Sequence, residues 1–285
     1  MRRLVLVVGA GGQLGQAMAE RLASDHEVVA LTHGNLDASD MVAVDTAVTA
    51  VCPDVIVNCA GYTDVDRAER EPREALAANS WVPRALARAA AKVDATIVHF
   101  STDFVFDGTA DHPYAEDDPP NPRGVYAMSK LLGEWLAAGA PHHYVLRVES
   151  LFGGPNAKSS IDRILNGLIT GKEVRAFSDR TVSPSYVEDV VRATAALIEG
   201  GQPFGLYHCV NDGWTTWAGL ARELGRIVGL PDARITEILL ADADLPVPRP
   251  RFAALSNAKL AGAGIAMPSW HDALARHVRN VLGQA

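Results

Sequence analysis

The chain has only three cysteines and no long apolar run. The cysteines, Cys52, Cys59 and Cys209, show no paired spacing, and an odd count without a secretion signal predicts a reducing cytoplasm. No apolar run reaches the roughly 18 residues that a membrane span needs. The apolar stretch at the N-terminus is too short for a signal peptide, so we expect a cytoplasmic protein.

Basic side chains are also scarce relative to acidic ones. The sequence has 26 Lys and Arg against 34 Asp and Glu, which gives a net charge of −8 at pH 7. This balance argues against nucleic acid and anionic membranes as partners. No cluster of His, Cys, Asp and Glu has the spacing of a metal site, so no metal is expected. We expect a monomer or a homodimer.

What the chain does have is apolar sequence for a large core, since 48% of its 285 residues are hydrophobic. Short β-branched runs predict strands at residues 4–8, 28–31, 55–58, 96–101, 144–148 and 207–210. Alanine- and charge-rich segments between them predict helices at residues 13–24, 41–51, 72–92 and 126–138. The alternation predicts an α/β fold, a Rossmann-type doubly wound parallel sheet.

After about residue 150 the pattern changes to helices that alternate with short strands and proline-rich turns. The helices are predicted at residues 159–170, 186–199, 216–228 and 271–282. We expect residues 1–150 to form the dinucleotide-binding domain and residues 151–285 to form mostly a smaller substrate-binding region. A segment near 174–210 should return to the main sheet, so the two regions are partly interleaved.

A glycine-rich turn connects the first strand to the first helix. Gly9, Gly12 and Gly15 are spaced three apart and enclose Gln13 and Leu14. Such a turn lets backbone N–H groups approach a pyrophosphate at the positive end of the helix. The turn predicts a bound dinucleotide, although a tight strand–helix turn without a ligand would have the same pattern.

The end of the second strand bears on the choice of cofactor. An acid there would hold the ribose 2′-OH of NAD, and a nearby arginine would hold the 2′-phosphate of NADP. The strand ends instead at Thr32 and His33, and Asp37 follows at a position nearer the adenine. Because no acid is present to repel a phosphate, the sequence favours NADPH, with NADH tolerated.

A tyrosine and a lysine lie four residues apart on a predicted helix. Tyr126 and Lys130 therefore project from the same face. A free tyrosine has a pKa of about 10, and a neighbouring ammonium favours its phenolate, so we expect Lys130 to lower the pKa of Tyr126. With Thr102, which ends the fourth strand, the pair forms a candidate acid–base unit. The alternative is an ordinary exposed pair.

Several sequence blocks together resemble the extended short-chain dehydrogenase/reductase superfamily and, within it, the dTDP-4-dehydrorhamnose reductase family. The matching blocks run nearly end to end and include residues 9–15, 58–69, 101–108, 126–134, 183–186, 205–208 and 248–250. The resemblance implies reduction of the C4 ketone of a nucleotide-linked 4-keto-6-deoxy sugar. It assigns the catalytic roles to Thr102, Tyr126 and Lys130.

The resemblance also implies which residues contact the ligands. The nicotinamide ribose would be held by Tyr126 and Lys130, and the small residues Ala60 and Gly61, followed by Tyr62, would let the cofactor pass close to the backbone. Candidate substrate contacts are Thr102, Asp103, Phe104, Ser150 and Arg249, and Arg180 and Lys259 are further candidates for a substrate phosphate.

Two positions depart from the family pattern. Ser150 stands where the family's reductases usually carry a tryptophan near the substrate, and Phe104 replaces a frequent tyrosine. These changes affect the expected substrate rather than the reaction type. Two alternatives stay open: another nucleotide-sugar 4-ketoreductase or epimerase of the same superfamily, and a non-catalytic NADP-binding regulatory subunit.

Overall fold

The central feature of the computed structural model is a six-stranded sheet in the order β2-β1-β3-β4-β5-β10. The structure describes residues 1–155, 158–231 and 234–283. Every neighbouring pair in this sheet is parallel, as predicted. Its strands are β1 (Leu4–Val8), β2 (Glu27–Leu31), β3 (Val55–Asn58), β4 (Thr96–Thr102), β5 (His143–Val148) and β10 (Gly205–His208).

Helices cover both faces of this sheet because alternate strand residues point to opposite sides. Val5 and Val7 of β1 join one apolar cluster, whereas Leu6 and Val8 join another. The first face is covered by α1 (Gln13–Leu22) and α8 (Val187–Gly200), and the second by α2 (Met41–Val51) and α5 (Val82–Lys92). The predicted doubly wound α/β fold is therefore confirmed.

A third apolar cluster packs the C-terminal region. It joins α7 (Ser160–Ile169), α9 (Trp217–Ile227) and α11 (Trp270–Gly283) to short paired strands. These strands are β6 (Leu151–Phe152), β7 (Val174–Phe177), β8 (Thr181–Val182), β9 (Ser185–Tyr186), β11 (Thr215–Thr216) and β12 (Ile235–Ile238). Strand β7 pairs with β12, whereas α8 and β10 pack into the main sheet. The division at residue 150 stays a prediction, and residues 156–157, 232–233 and 284–285 of the predicted C-terminal region lie outside the described residues.

The helix predicted at residues 72–92 is interrupted, which corrects that expectation. It consists of α4 (Pro72–Leu76), a π-helical turn (Ala77–Trp81) and α5. The remaining helices are α3 (Val65–Ala68), α6 (Val125–Ala137) and α10 (Ala258–Gly262). No helix in the described part of the chain is long and apolar enough to cross a bilayer.

Candidate active site

A cleft of about 740 Å³ opens at the carboxyl end of β4 and β5. Parallel sheets bind ligands at this edge, next to the point where strand order reverses. Here the reversal lies between the neighbouring strands β1 and β3. The cleft brings together eight of the predicted site residues: Gln13, Thr102, Asp103, Phe104, Tyr126, Ser150, Arg180 and Arg249.

The glycine turn lies directly against the loop after β3. Gly9 has a φ of +80°, and a Cβ there would lie 2.5 Å from the backbone N of Ala60. A Cβ at Gly15 would lie 2.2 Å from the carbonyl oxygen of Gly9, so only glycine allows this close packing. Gly12 begins α1 without a side-chain cap, which leaves the helix N-terminus available to an anion.

The side chain of Gln13 and the backbone around Tyr62 are held by hydrogen bonds. Gln13 Nε2 donates to the carbonyl oxygen of Gly153 at 2.7 Å, which connects the glycine turn to the C-terminal region. Asn79, in the π-helical turn, accepts from Tyr62 N at 2.8 Å and donates to Tyr62 O at 3.0 Å. Its Nδ2 also donates to Ser129 Oγ at 3.0 Å. Asn79 therefore fixes the loop after β3 against α6, a role that no sequence pattern indicated.

The first turn of α6 is fixed by a carboxylate from α3's C-terminus. Glu69 Oε1 accepts from Val125 N at 2.6 Å and so satisfies one of the free N–H groups at the helix start. Gly124, with φ +87°, permits this contact, because a Cβ there would lie 2.7 Å from the same oxygen. The contact fixes the residue directly before Tyr126.

Tyr126 and Lys130 are both buried, and this reverses the expected effect on Tyr126. Burial raises the pKa of Tyr126 to about 12, helped by repulsion from Asp103 and opposed by a hydrogen bond from Thr102. Burial also lowers the pKa of Lys130 to about 8, although Glu134 raises it. Lys130 Nζ donates to Phe100 O at 2.5 Å. The prediction that Lys130 lowers the Tyr126 pKa is therefore wrong, because desolvation of the phenolate dominates.

The fourth strand ends in a hydroxyl and a buried acid. Thr102 Oγ1 donates to Asp103 Oδ1 at 2.9 Å. Burial raises the pKa of Asp103 to about 6, while the nearby Arg180 guanidinium and the Thr102 hydrogen bond oppose the shift. Phe104 packs edge-on against Tyr126, with ring centroids 5.5 Å apart.

A second buried acid, Glu149, was missed by sequence reasoning. Thr102 and Val148 are paired across β4 and β5, so Asp103 and Glu149 leave the sheet side by side. Burial raises the pKa of Glu149 well above its usual value, and repulsion from Asp103 adds to this. Its Oε2 accepts from Ser183 N at 2.5 Å. The signal was the register of the two strands, which the sequence does not contain.

Two arginines lie near the Phe104 ring in the cleft. The guanidinium carbon of Arg180 lies 5.6 Å from the ring centroid, and that of Arg249 lies 6.0 Å from it. Arg180 also lies 5.9 Å from the ring of Trp217, a cleft residue that sequence reasoning missed. Arg249 donates to Asp66 Oδ2 at 2.7 Å.

Lys259 and Asp37 lie apart from this cleft. Lys259 Nζ donates to the carbonyl oxygen of Leu206 at 2.7 Å, and its phosphate contact stays a prediction. Asp37 is exposed beyond β2 and accepts from Ser39 N and Oγ at 3.0 and 2.6 Å. These hydrogen bonds lower the pKa of Asp37. Its predicted cofactor contact stays a prediction.

Comparison with known proteins agrees with this architecture. A family model described as the RmlD substrate binding domain matches residues 1–282. The chain is 37% identical to dTDP-4-dehydrorhamnose reductase of Streptomyces griseus, over 98% of this chain and 94% of that protein. It is 34% identical to a probable dTDP-4,6-dihydroxy-2-methyloxan-3-one 4-ketoreductase of Streptomyces antibioticus, over 97% and 95% of the two chains.

One solved structure has the same fold over nearly the whole chain. The crystal structure of dTDP-4-dehydrorhamnose reductase from Bacillus anthracis in complex with NADP superposes with a TM-score of 0.93. The two chains are 27% identical, and the match covers 98% of this chain and 100% of that one. The resemblance noted in the sequence is confirmed: the chain belongs to the RmlD substrate binding domain family, with the dTDP-4-dehydrorhamnose reductases among its relatives.

Proposed function

We propose that the protein is an NADPH-dependent reductase that converts dTDP-4-dehydro-L-rhamnose to dTDP-L-rhamnose. The observation that carries the proposal is the cleft, which places Thr102 and Tyr126 together at the strand ends of a dinucleotide fold. Relatives that are 31–37% identical over nearly their full length carry the name of this reductase.

The glycine turn and the loop after β3 fit a dinucleotide. The uncapped start of α1 offers backbone N–H groups to a pyrophosphate, and Gly9 keeps the turn close to Ala60. When bound, the cofactor supplies the hydride. We assign its nicotinamide ribose to Lys130, whose pKa of about 8 keeps the ammonium mostly charged at neutral pH. NADH is tolerated on this proposal, because no Lys or Arg occurs between Arg21 and Arg67 to demand a phosphate.

Tyr126 is the proton donor in this reaction. A phenol with a pKa of about 12 stays protonated at neutral pH and gives its proton only to a stronger base, the alkoxide that develops at C4. Thr102 Oγ1 donates a hydrogen bond to the same oxygen and stabilises its charge. Burial of both residues strengthens these interactions, because water is excluded.

The substrate diphosphate is assigned to Arg180 and Arg249. Two guanidinium groups near one ring repel each other. Burial lowers the pKa of Arg180, and the repulsion from Arg249 lowers it further. An anion between them would relieve that cost. Arg180 and Trp217 also line an adjoining cavity of about 510 Å³, which has Ile164, Val174 and Phe177 on its walls. We assign the nucleoside to this cavity and the sugar to the cleft.

A second candidate is a 4-ketoreductase for a different sugar. Ser150 lies in the cleft with a φ of +46°. It stands where the family pattern has a tryptophan, and we infer that this smaller side chain leaves room for a different sugar. A relative named as a probable 4-ketoreductase of another dTDP-sugar is nearly as similar as the rhamnose enzymes. A non-catalytic regulatory subunit is the weaker alternative, since Thr102, Tyr126 and Lys130 are intact.

The first experiment follows NADPH oxidation by the purified protein with dTDP-4-keto-6-deoxyglucose, with and without the matching 3,5-epimerase. Oxidation only with the epimerase supports the rhamnose-forming reductase. Oxidation without it supports the second candidate. NADPH binding without oxidation by either substrate would contradict both reductase assignments and favour the regulatory subunit.

The same preparation tests two further proposals. We propose a monomer or a homodimer, which sedimentation at two protein concentrations distinguishes. We also propose a cytoplasmic location, where nucleotide sugars are made available to the enzyme. Cell fractionation tests it, and recovery of the protein in a membrane or secreted fraction would contradict it.

A further inference from the structure

We propose that Asp103 and Glu149 share one proton at the ends of β4 and β5 and return it, through the Thr102 hydroxyl, to Tyr126 after each reduction. The inference rests on the proposed function, in which Tyr126 loses one proton per turnover. Tyr126 is only 8% exposed, so its phenolate is poorly placed to regain a proton directly from bulk water. A path through neighbouring side chains would meet this need.

The path begins with the Thr102 hydroxyl, which contacts both Tyr126 and Asp103. Thr102 hydrogen-bonds Tyr126, and its Oγ1 lies 2.9 Å from Asp103 Oδ1. Glu149 follows Val148, the register partner of Thr102, so it leaves β5 next to Asp103. Thr102 has a single hydroxyl proton, which it donates to Asp103 while that acid is ionised. When Asp103 carries the shared proton, its carboxyl can donate to Thr102 Oγ1, and the Thr102 proton can then turn to Tyr126.

The combined charge of Asp103, Glu149 and Arg180 requires a bound proton. Asp103 and Glu149 are 2% and 1% exposed, and each has one carboxyl oxygen without a hydrogen-bond partner among the described residues. Arg180 is the cation that faces both acids. Two carboxylates against one guanidinium would leave a buried, unpaired negative charge, which is costly. One shared proton makes the three groups neutral together.

Other groups around the pair do not replace this proton. Ser183 N donates to Glu149 Oε2, and Ser185 Oγ accepts from Glu149 N at 3.1 Å. Ser101 Oγ, from β4, has no partner in the described part of the chain. Arg249 lies beyond Arg180 and is paired with Asp66. None of these contacts adds a second positive charge beside the acids.

The proposed transfer returns to Tyr126 the one proton that each reduction consumes. After Tyr126 has given its proton to the alkoxide, its phenolate takes the Thr102 hydroxyl proton. Thr102 Oγ1 takes the proton of the Asp103 carboxyl. The carboxylate that remains is stabilised by Arg180, and the pair regains one proton from water before the next turnover. No oxidant or reductant beyond NADPH and the keto sugar is required.

The test compares the first turnover with steady-state turnover in Glu149→Gln. Tyr126 begins protonated, so the first NADPH oxidation should keep its wild-type rate. Later turnovers should slow, and the ratio of the first to the steady-state rate should rise by roughly 10²-fold, the lower end of a positioned proton donor's contribution. Asp103→Asn, which keeps an oxygen for Thr102, should raise the same ratio whatever its first rate, and Glu149→Asp should partly restore the wild-type ratio.

Asp64→Asn is the matched control. Asp64 is a cleft carboxylate that caps α3 through Arg67 N, and asparagine caps equally well. The ratio of the first to the steady-state rate in Asp64→Asn should equal that of the wild type. An unchanged ratio in Glu149→Gln would overturn the proposal, whether both rates fall together or neither changes.

Infrared spectroscopy provides a readout that does not depend on the substrate. The wild type at neutral pH should show a protonated carboxyl band that is lost in Glu149→Gln or Asp103→Asn. If this band is absent from the wild type, the shared proton does not exist and the proposal fails. If the band is present but no keto sugar is reduced, the proposed function fails instead.

Discussion

The two walls of the cleft differ in how their polar atoms are satisfied. We call the glycine turn, residues 60–62 and the start of α6 the cofactor wall. Here Asn79 holds Tyr62 by two hydrogen bonds, and Glu69 caps Val125. We call Asp103, Glu149, Arg180, Trp217 and Arg249 the substrate wall. Four of its five members, all except Arg249, have a buried polar atom without a partner in the described ranges.

The difference indicates which wall is complete before a ligand binds. A buried polar atom without a hydrogen bond costs free energy, so native proteins keep few of them. On the cofactor wall, Tyr62 and Val125 are hydrogen-bonded internally, whereas the uncapped start of α1 keeps N–H groups for the cofactor. The substrate wall keeps donors and acceptors that a sugar, a phosphate or a shared proton can satisfy. Variants on each wall should therefore fail in different ways.

The largest effect is expected from Tyr126→Phe on the cofactor wall. The ring contact with Phe104 is kept while the proton donor is lost. The turnover rate should fall by roughly 10²–10⁴-fold, with unchanged NADPH affinity. Stopped-flow NADPH oxidation and a binding titration measure the two quantities.

Tyr144→Phe is the control for this substitution. The Tyr144 hydroxyl donates to Gln202 O at the other end of the sheet, so its loss costs stability but not turnover. Near-wild-type activity in Tyr126→Phe would remove Tyr126 from the mechanism.

A smaller effect of a different kind is expected from Arg249→Met on the substrate wall. A charge-assisted hydrogen bond contributes about 1.5–3 kcal/mol, so KM for the nucleotide sugar should rise by roughly 10- to 100-fold. The turnover rate should change little, because the diphosphate is held equally in the ground and transition states. Arg251→Met is the control, since Arg251 is exposed. A fall in turnover rate at constant KM would show that Arg249 acts in the chemical step. The expected difference between variants of the cofactor wall and of the substrate wall would then fail.

Gly9→Ala should affect the folding of the cofactor wall. The new Cβ would meet Ala60 N at 2.5 Å with φ at +80°, and such strain costs about 1–3 kcal/mol of unfolding free energy. Urea denaturation measures this loss. Gly34→Ala is the control, because a Cβ there would lie 3.7 Å from its nearest neighbour, Thr32 Oγ1. Equal free energies of unfolding for both variants would show that the loop after β3 can move away from the new Cβ and is not fixed.

The last prediction concerns pH and Lys130. Its pKa is about 8 in the folded protein against 10.5 when unfolded, so the unfolded chain binds more protons between these values. Stability should therefore rise with pH in this window, by at most about 1.4 kcal/mol per pH unit. Denaturation series at several pH values above 8 compare the wild type with Lys130→Met. The same slope in both proteins would show that Lys130 is not the titrating group.

Most of the fold could be predicted because its signals are local. The apolar, β-branched runs gave the strands of the main sheet, and the glycine turn followed from residues 9–15 alone. The π-helical turn could not be predicted, because its cause is distant: Asn79 hydrogen-bonds Tyr62 and Ser129. A helix-forming sequence carries no record of such partners.

Prediction of the site from the sequence had the same limit. Thr102, Tyr126 and Lys130 follow from motif and spacing, and the family resemblance extended them to a reaction. Glu149 and Trp217 were missed, because one depends on the register of β4 with β5 and the other on the packing of α9. The pKa direction of Tyr126 was wrong for a related reason: spacing gives the neighbouring charge but not the burial that outweighs it.

By itself, then, the sequence determined the order of strands and helices, the glycine turn and the candidate acid–base residues, because these depend on neighbours within a few residues. Only the tertiary structure decided that Asp103, Glu149 and Arg180 lie near one another at the ends of β4 and β5, and that burial favours the protonated phenol of Tyr126. Burial and long-range contact set the energies of charged groups, and both arise only when distant segments pack together.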